Sequence, residues 1–248
     1  MRQRRAPPPR GGLARLAAMA TALLLVSCGD VSVRPQANLP KPLIVQLPAE
    51  VGLIIPAETR KFTDKETRYG VDWIVDLGPG EARLLEEVFR DLFRRVEEFK
   101  DLEAARGHTN LKALFEARVD QYSFVTARET GGRYYAVTIR YRINLYTPQG
   151  DKADSYTLTG YGNSLALGMS GGKPLTRATA GAMRDAAAKF LVQFPAQPAG
   201  LQLARNEAVV AEKPAVSADA AEIEAVPIDE PAGEIEGVSG SQPTEPKT

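Results

Sequence analysis

The stretch from Tyr135 to Tyr146 constrains the fold more than any other. Tyr135, Val137, Ile139, Tyr141, Ile143 and Leu145 alternate with Ala136, Thr138, Arg140, Arg142, Asn144 and Tyr146. Successive side chains on a strand point to opposite faces, so the apolar set must meet a core and the polar set must face away from it. Turn chemistry flanks the stretch. Glu129 to Arg133, with Gly131-Gly132, precedes it, and Pro148-Gln149-Gly150-Asp151 follows it. Connections of hairpin length join antiparallel neighbours, so a strand is expected on either side.

Phe115, Ala117 and Val119, then Tyr122 and Phe124, supply the strand before. The parity of the apolar positions changes at Gln121-Tyr122, which predicts a bulge there. Tyr156, Leu158 and Gly160 predict a shorter strand after. Upstream, Val51, Leu53 and Ile55 form a strand ended by Pro56, and Tyr69, Val71, Trp73, Val75 and Leu77 form another, with Trp73 in the core. Gly78-Pro79-Gly80 reads as a turn into a helix from about Glu81 to Lys100. Its stripe is Leu85, Val88, Phe89, Leu92, Phe93 and Val96, and its charged residues form a solvated face with weak pairs Glu86/Arg90 and Asp91/Arg95. A second helix spans about Pro174 to Phe194. Its stripe is Leu175, Ala178, Met183, Ala186, Ala187, Phe190, Leu191 and Phe194. This order predicts an α+β fold: a two-layer sandwich, a mostly antiparallel sheet with two helices on one face.

The N-terminus has a different logic. Arg2, Arg4, Arg5, Arg10 and Arg15 precede an apolar run from Leu16 to Val26, with no acidic residue among them. That is a secretory signal, too short to span a bilayer comfortably. It ends at Leu25-Val26-Ser27-Cys28, which resembles the bacterial lipobox. The resemblance implies that Cys28, the sole cysteine of the chain, is acylated on its thiol, that residues 1–27 are removed, and that the new N-terminus is acylated too. More than one fatty chain is what stable anchoring requires. Gly29 rather than aspartate follows the cysteine, which implies outer-membrane sorting with the domain facing the periplasm. Asp30 keeps the inner membrane as the alternative. Residues 28–48, with Pro35, Pro40, Pro42 and Pro48, read as a proline-rich tether. A strand at Leu43-Ile44-Val45 on the domain edge is the alternative reading.

The formal net charge of zero over 248 residues hides a division. From Leu201 onward three basic residues stand against ten acidic ones, while the middle of the chain is near +2. A near-neutral domain argues against general nucleic-acid binding. Residues 49–196 make one domain. Residues 197–248, rich in Pro, Ala, Glu, Gly and Ser, read as a disordered acidic tail.

No motif supplies a chemistry. His108 is the single histidine, so common zinc sites and histidine-activated nucleophiles lack their parts. Gly168-Met169-Ser170-Gly171-Gly172-Lys173-Pro174 follows a strand and opens a helix. It fails the phosphate-loop pattern, because Pro174 stands where a Mg²⁺-binding hydroxyl is needed. Asp72 and Asp76 share a strand face and read as solvated. No catalytic, cofactor or metal residue is assigned.

Arg140 and Arg142, with Tyr134, Tyr146 and Tyr161, are predicted to lie on the sheet face opposite the core. Arginine and tyrosine are enriched in interfaces, so this face is the candidate for partner binding, with ordinary cross-strand pairing as the alternative. The layout of lipobox, tether, strands and two helices resembles small assembly or auxiliary envelope lipoproteins. That implies a non-enzymatic adaptor or accessory subunit of an envelope transport or assembly complex, binding the membrane through Cys28 and an envelope protein through its domain. The second expectation is a structural subunit that self-associates into a ring through exposed sheet edges. The third, a hydrolase or lipid-binding enzyme, needs an enclosed apolar pocket with convergent polar groups.

Overall fold

The computed structural model describes residues 30–166 and 171–211. Cys28, the signal, residues 167–170 of the glycine-rich connector and the acidic stretch beyond Ala211 lie outside them.

The fold is an α+β sandwich built on two sheets. The larger has five strands in the order β5-β2-β6-β7-β8: β2 (Leu47–Ile54), β5 (Phe93–Phe99), β6 (Ala113–Val125), β7 (Tyr134–Tyr146) and β8 (Lys152–Leu165). Strands β6, β7 and β8 are antiparallel, as the hairpin turns require, whereas β2 runs parallel to both β5 and β6. The register between β6 and β7 shifts between Val119 and Gln121, where the parity change predicted a bulge. The smaller sheet has the order β1-β4-β3, with β1 (Val31–Val33), β3 (Thr63–Arg68) and β4 (Val71–Asp76).

Two long helices cover one face of the larger sheet: α2 (Gly78–Leu92) and α4 (Gly172–Gln193). Short helices α1 (Ala57–Arg60), α3 (Leu102–Ala105) and α5 (Pro198–Ala204) complete the set. The core between the layers is aromatic. Phe89 meets Phe93, Phe115 and Phe190 with ring centroids 5.1–5.8 Å apart, and Phe194 joins them. Stacked, tilted and edge-on rings at this spacing add to the stabilisation from burial.

Several boundaries depart from the sequence reading, each for a tertiary reason. The first long helix stops at Leu92 instead of Lys100. Phe93 is extended (φ −113°, ψ 148°) and opens β5, which pairs with β2. Arg94, Arg95, Glu97 and Glu98, expected on a solvated helix face, instead line an edge strand, where charge discourages pairing with another chain. Tyr69 belongs to a tight turn (φ 54°, followed by Gly70 at 74°) that joins β3 to β4 rather than to a strand running on to Leu77. Gly78-Pro79-Gly80 is the first turn of α2, not a connector before it. A Cβ at Gly78 would strike the Arg60 carbonyl and one at Gly80 the Pro35 carbonyl. β8 extends from Lys152 to Leu165, well beyond the short strand expected.

Both ends of the domain reach further than expected. Val31–Val33 pairs in parallel with β4, Val33 and Ala37 are buried, and Arg34 bonds Asp76 at 2.9 Å. The proline-rich segment is therefore packed from residue 31, and only Gly29 and Asp30 separate it from Cys28. Leu43 and Val45 are fully exposed, and no strand forms there. At the other end, residues 198–204 are helical, with Leu203 and Val209 buried and the Val209 N–H donating to the Lys112 carbonyl at 2.8 Å. The disordered reading of residues 197–211 is thus corrected. Two isolated apolar anchors seat a segment that has no periodicity of its own.

Candidate functional site

The cross-strand register fixes what shares the outer face of β6, β7 and β8. Thr138 stands between Ser123 and Tyr161, Arg140 between Gln121 and Thr159, Arg142 between Arg118 and Thr157, and Asn144 between Glu116 and Ser155. Tyr134 is paired with Leu165 at the hairpin end, and Tyr146 closes the opposite end. All five predicted residues therefore lie on the face opposite the helices, but their surroundings differ.

Arg142 is held by Asp120, with Nε at 2.8 Å and Nη2 at 2.5 Å from one carboxylate oxygen, and Arg118 approaches the same carboxylate at 3.3 Å. Asp120 is the residue that the bulge adds to β6, so the bulge supplies an acid shared by two arginines facing each other across strands. The Asp120 hydrogen bond raises the Arg142 pKa further. Tyr146 donates to Glu116 at 3.0 Å, and Asn144 donates to the same oxygen at 2.8 Å. Burial, then that hydrogen bond, pushes the Tyr146 phenol up. Ile54, Leu111 and Leu114, with Leu102 of α3, pack over this end of the face together with Tyr146. Two of the five candidate residues, Arg142 and Tyr146, are thus engaged internally.

Arg140 is different. It is exposed and has no ion pair or hydrogen bond among the described residues. Tyr161 beside it is 60% exposed. Its ring faces Lys189 of α4, whose Nζ lies 4.9 Å from the ring centre. Toward the hairpin, Tyr134 is 41% and Leu165 65% exposed. The open part of the face is therefore a strip from Arg140 and Tyr161 to Tyr134 and Leu165.

Both edges of the larger sheet carry features that hinder pairing. The Tyr161 N–H donates to Asp185 of α4 at 2.8 Å, and Lys189 Nζ donates to the Thr159 carbonyl at 2.8 Å. Asp185 and Lys189 bond each other at 2.6 Å. The free edge of β8 is therefore capped at its middle by an ion pair, and β5 carries its charges at the other edge.

The core also holds a buried polar pair that no sequence motif marks. Glu81 of α2 is fully buried, and Tyr141 of β7 donates its hydroxyl to the carboxyl, 2.9 Å from either oxygen. Burial pushes the Glu81 pKa up to about 8, against the opposing effect of the Tyr141 bond. The signal was legible: Glu81 precedes Leu84, Leu85 and Val88 by three, four and seven residues, so it falls on the buried stripe. Nearby, Tyr122 and Thr179 share a buried hydrogen bond of 3.0 Å. Burial, then Glu66, pushes Asp64 up to about 6.

The other residues weighed for chemistry stand apart. His108 is exposed, with its ring edge-on to Phe99 at 4.8 Å. Asp72 accepts from Thr67 at 2.6 Å while Asp76 holds Arg34, so the two carboxylates serve different partners. No group of three His, Cys, Asp or Glu able to hold a metal occurs among the described residues. The apolar space between α2, α4 and the sheet, lined by Leu85, Phe89, Tyr141 and Phe190, measures only about 20 Å³. A cleft of about 330 Å³ lies between Pro56, Glu58, Asp101 and Tyr146, open to solvent and of mixed polarity. No helix among the described residues is long and apolar enough to cross a membrane.

No family model matches the chain, and no curated protein matches it. Solved structures similar to it include a Xanthomonas campestris protein of family DUF330, at 14% identity over 71% of this chain and 99% of that one, with a TM-score of 0.45. A minor lipoprotein from Acinetobacter baumannii is 12% identical over 65% of this chain and 95% of its own, with a TM-score of 0.35. A PelC dodecamer from Paraburkholderia phytofirmans is 14% identical over 60% and 95%, with a TM-score of 0.32. At TM-scores below 0.5 these likenesses carry no argument about function.

Proposed function

We propose that this chain is a lipid-anchored envelope lipoprotein whose domain acts as a non-enzymatic adaptor or accessory subunit. In this reading Cys28 carries the anchor, the outer membrane is its site, and the domain faces the periplasm. The partner is an envelope protein of a transport or assembly complex. The observation that carries the binding role is Arg140. It is the arginine left without an acid on a face where Asp120 pairs with both Arg118 and Arg142, and it borders the exposed Tyr161 ring. An uncompensated guanidinium beside an aromatic ring fits a partner that brings a carboxylate and an apolar side chain.

Self-association into a ring through sheet edges is the weaker reading, because Asp185 and Lys189 occupy the β8 edge and charge lines β5. The test is a cross-linking pull-down from membranes with wild type, Arg140→Glu and Cys28→Ala. The adaptor reading expects wild type to capture a defined envelope protein, Arg140→Glu to lose it while staying on the membrane, and Cys28→Ala to leave the membrane. Capture of this chain alone would turn the reading towards the ring.

A further inference from the structure

The short connection between Cys28 and β1 has a geometric consequence. Val31 pairs with Trp73 near the start of β4, so the chain enters the domain beside the β3–β4 turn at Tyr69-Gly70. Only Gly29 and Asp30 lie between Cys28 and Val31. Three residue steps span roughly 10 Å at full extension. A lipid on Cys28 therefore holds this end of the domain against the bilayer, with no room for a free tether.

The same end collects the side chains that suit an interface. The β3–β4 turn, the β6–β7 hairpin and the start of α4 meet there, around a cleft of about 220 Å³ bordered by Val31, Tyr69, Trp73, Arg128 and Tyr135. Tyr69 is 57% exposed and Leu165 65%, with Tyr134 between hairpin and sheet. The Arg128 guanidinium lies over the Tyr69 ring at 5.5 Å. Arg128, Arg133 and Lys173 are exposed and without an ion pair among the described residues. The carboxylates Glu66 and Glu129 are both bound to Arg68, and Asp72 is bound by Thr67. Aromatic rings backed by free cations are the side chains that settle at the headgroup level of a bilayer.

We propose that the tips around Tyr69, Tyr134 and Leu165 form a lipid-docking surface that seats the domain directly on the membrane. The occupant is the headgroup region of the leaflet that holds the Cys28 lipid. Strands β6 to β8 then rise from the membrane, and Arg140, six residues along β7 from Tyr134, stands on the order of 20 Å above it. The partner face thus looks sideways at that height, which selects a partner that projects at least as far from the bilayer. The inference rests on lipidation of Cys28, as the adaptor reading does.

The sole thiol is consumed by the lipid, so one introduced cysteine gives a unique label. The mature lipidated full chain, reconstituted in vesicles of phosphatidylethanolamine and phosphatidylglycerol, is nitroxide-labelled at Tyr69→Cys, Leu165→Cys or Val192→Cys. Val192 is exposed near the far end of α4, roughly 30 Å from Lys173. Collision with lipid-soluble oxygen and with a water-soluble nickel chelate is read by electron paramagnetic resonance, and flotation reports anchoring. The proposal expects oxygen contact to exceed nickel contact several-fold at Tyr69 and Leu165, and the reverse at Val192. Flotation with all three labels equally open to nickel overturns the docking surface and leaves the anchor standing. Failure to float overturns the anchor itself, and the docking with it.

Discussion

Asp185 on α4 accepts the backbone N–H of Tyr161 at 2.8 Å, which places a helix side chain where a neighbouring strand would bind. Lys189, one turn later, covers the adjacent Thr159 carbonyl. An uncovered edge strand is a template for pairing with another chain. Replacing both residues, as in Asp185→Ala with Lys189→Ala, is expected to expose β8. Sedimentation velocity of the detergent-solubilised protein should then show concentration-dependent self-association that wild type lacks. A variant that sediments like wild type would mean that the edge is protected by something else.

The approach of α4 to β8 depends on glycine. A Cβ at Gly160 would strike the Ala182 carbonyl, and one at Gly162 would strike the Ala178 carbonyl. These obstacles are backbone, so the helix must move as a body. Gly162→Ala is expected to cost about 1–3 kcal/mol by overpacking, and Gly160→Val more. Urea unfolding followed by circular dichroism measures this. A cost under about 0.5 kcal/mol, the range of neutral surface changes, would show that the helix is not seated as closely as described.

Stability should fall as pH rises. Glu81 has its folded pKa pushed from 4.5 to about 8 by burial, so the folded state keeps a proton that the unfolded chain releases. The favourable contribution is complete below pH 4.5, declines as pH rises towards 8, and is gone above that. Asp64, raised from 3.8 to about 6, acts in the same direction over a lower window. Glu81→Gln removes the larger contribution. It is expected to match wild type near pH 4 and to exceed it at pH 9 by on the order of 3–5 kcal/mol. Parallel pH profiles for the two proteins would contradict the assignment.

Arg142 and Arg140 sit two residues apart on one face, yet their variants should behave differently. Arg142→Ala breaks the bond to Asp120, but Arg142 is itself solvent-exposed, so only a small loss of stability is expected in urea unfolding. Arg140→Glu should leave the melting temperature within a degree or two, since surface changes away from special contacts cost little, while abolishing partner capture. If both variants lose capture equally, the ion-paired half of the face also belongs to the interface.

The strands with a water face and a core face were legible because their cause is local. β7 shows this best, since each inward residue from Tyr135 to Leu145 is buried. β3 was not legible, because its inward residues are Asp64, Glu66 and Arg68, and Arg68 reaches the core only by lying over Phe124 at 4.6 Å. β5 was misread because Phe93 and Val96 keep helical spacing among good helix formers, while the pairing with β2 that makes it a strand is remote in sequence. β1 and α5 are too short to carry a period. The outer face was legible as a face. That Asp120 would quench Arg142 and leave Arg140 alone depended on a bulge and could not be read from spacing.

The most direct test places a photo-cross-linking residue at Thr138, between Ser123 and Tyr161 on the outer face, in the membrane-anchored protein. A single adduct with an envelope protein other than this chain is expected, lost when Arg140→Glu is added and when Cys28→Ala releases the protein from the membrane. An adduct with a second copy of this chain, or one that survives Arg140→Glu unchanged, would contradict the adaptor reading.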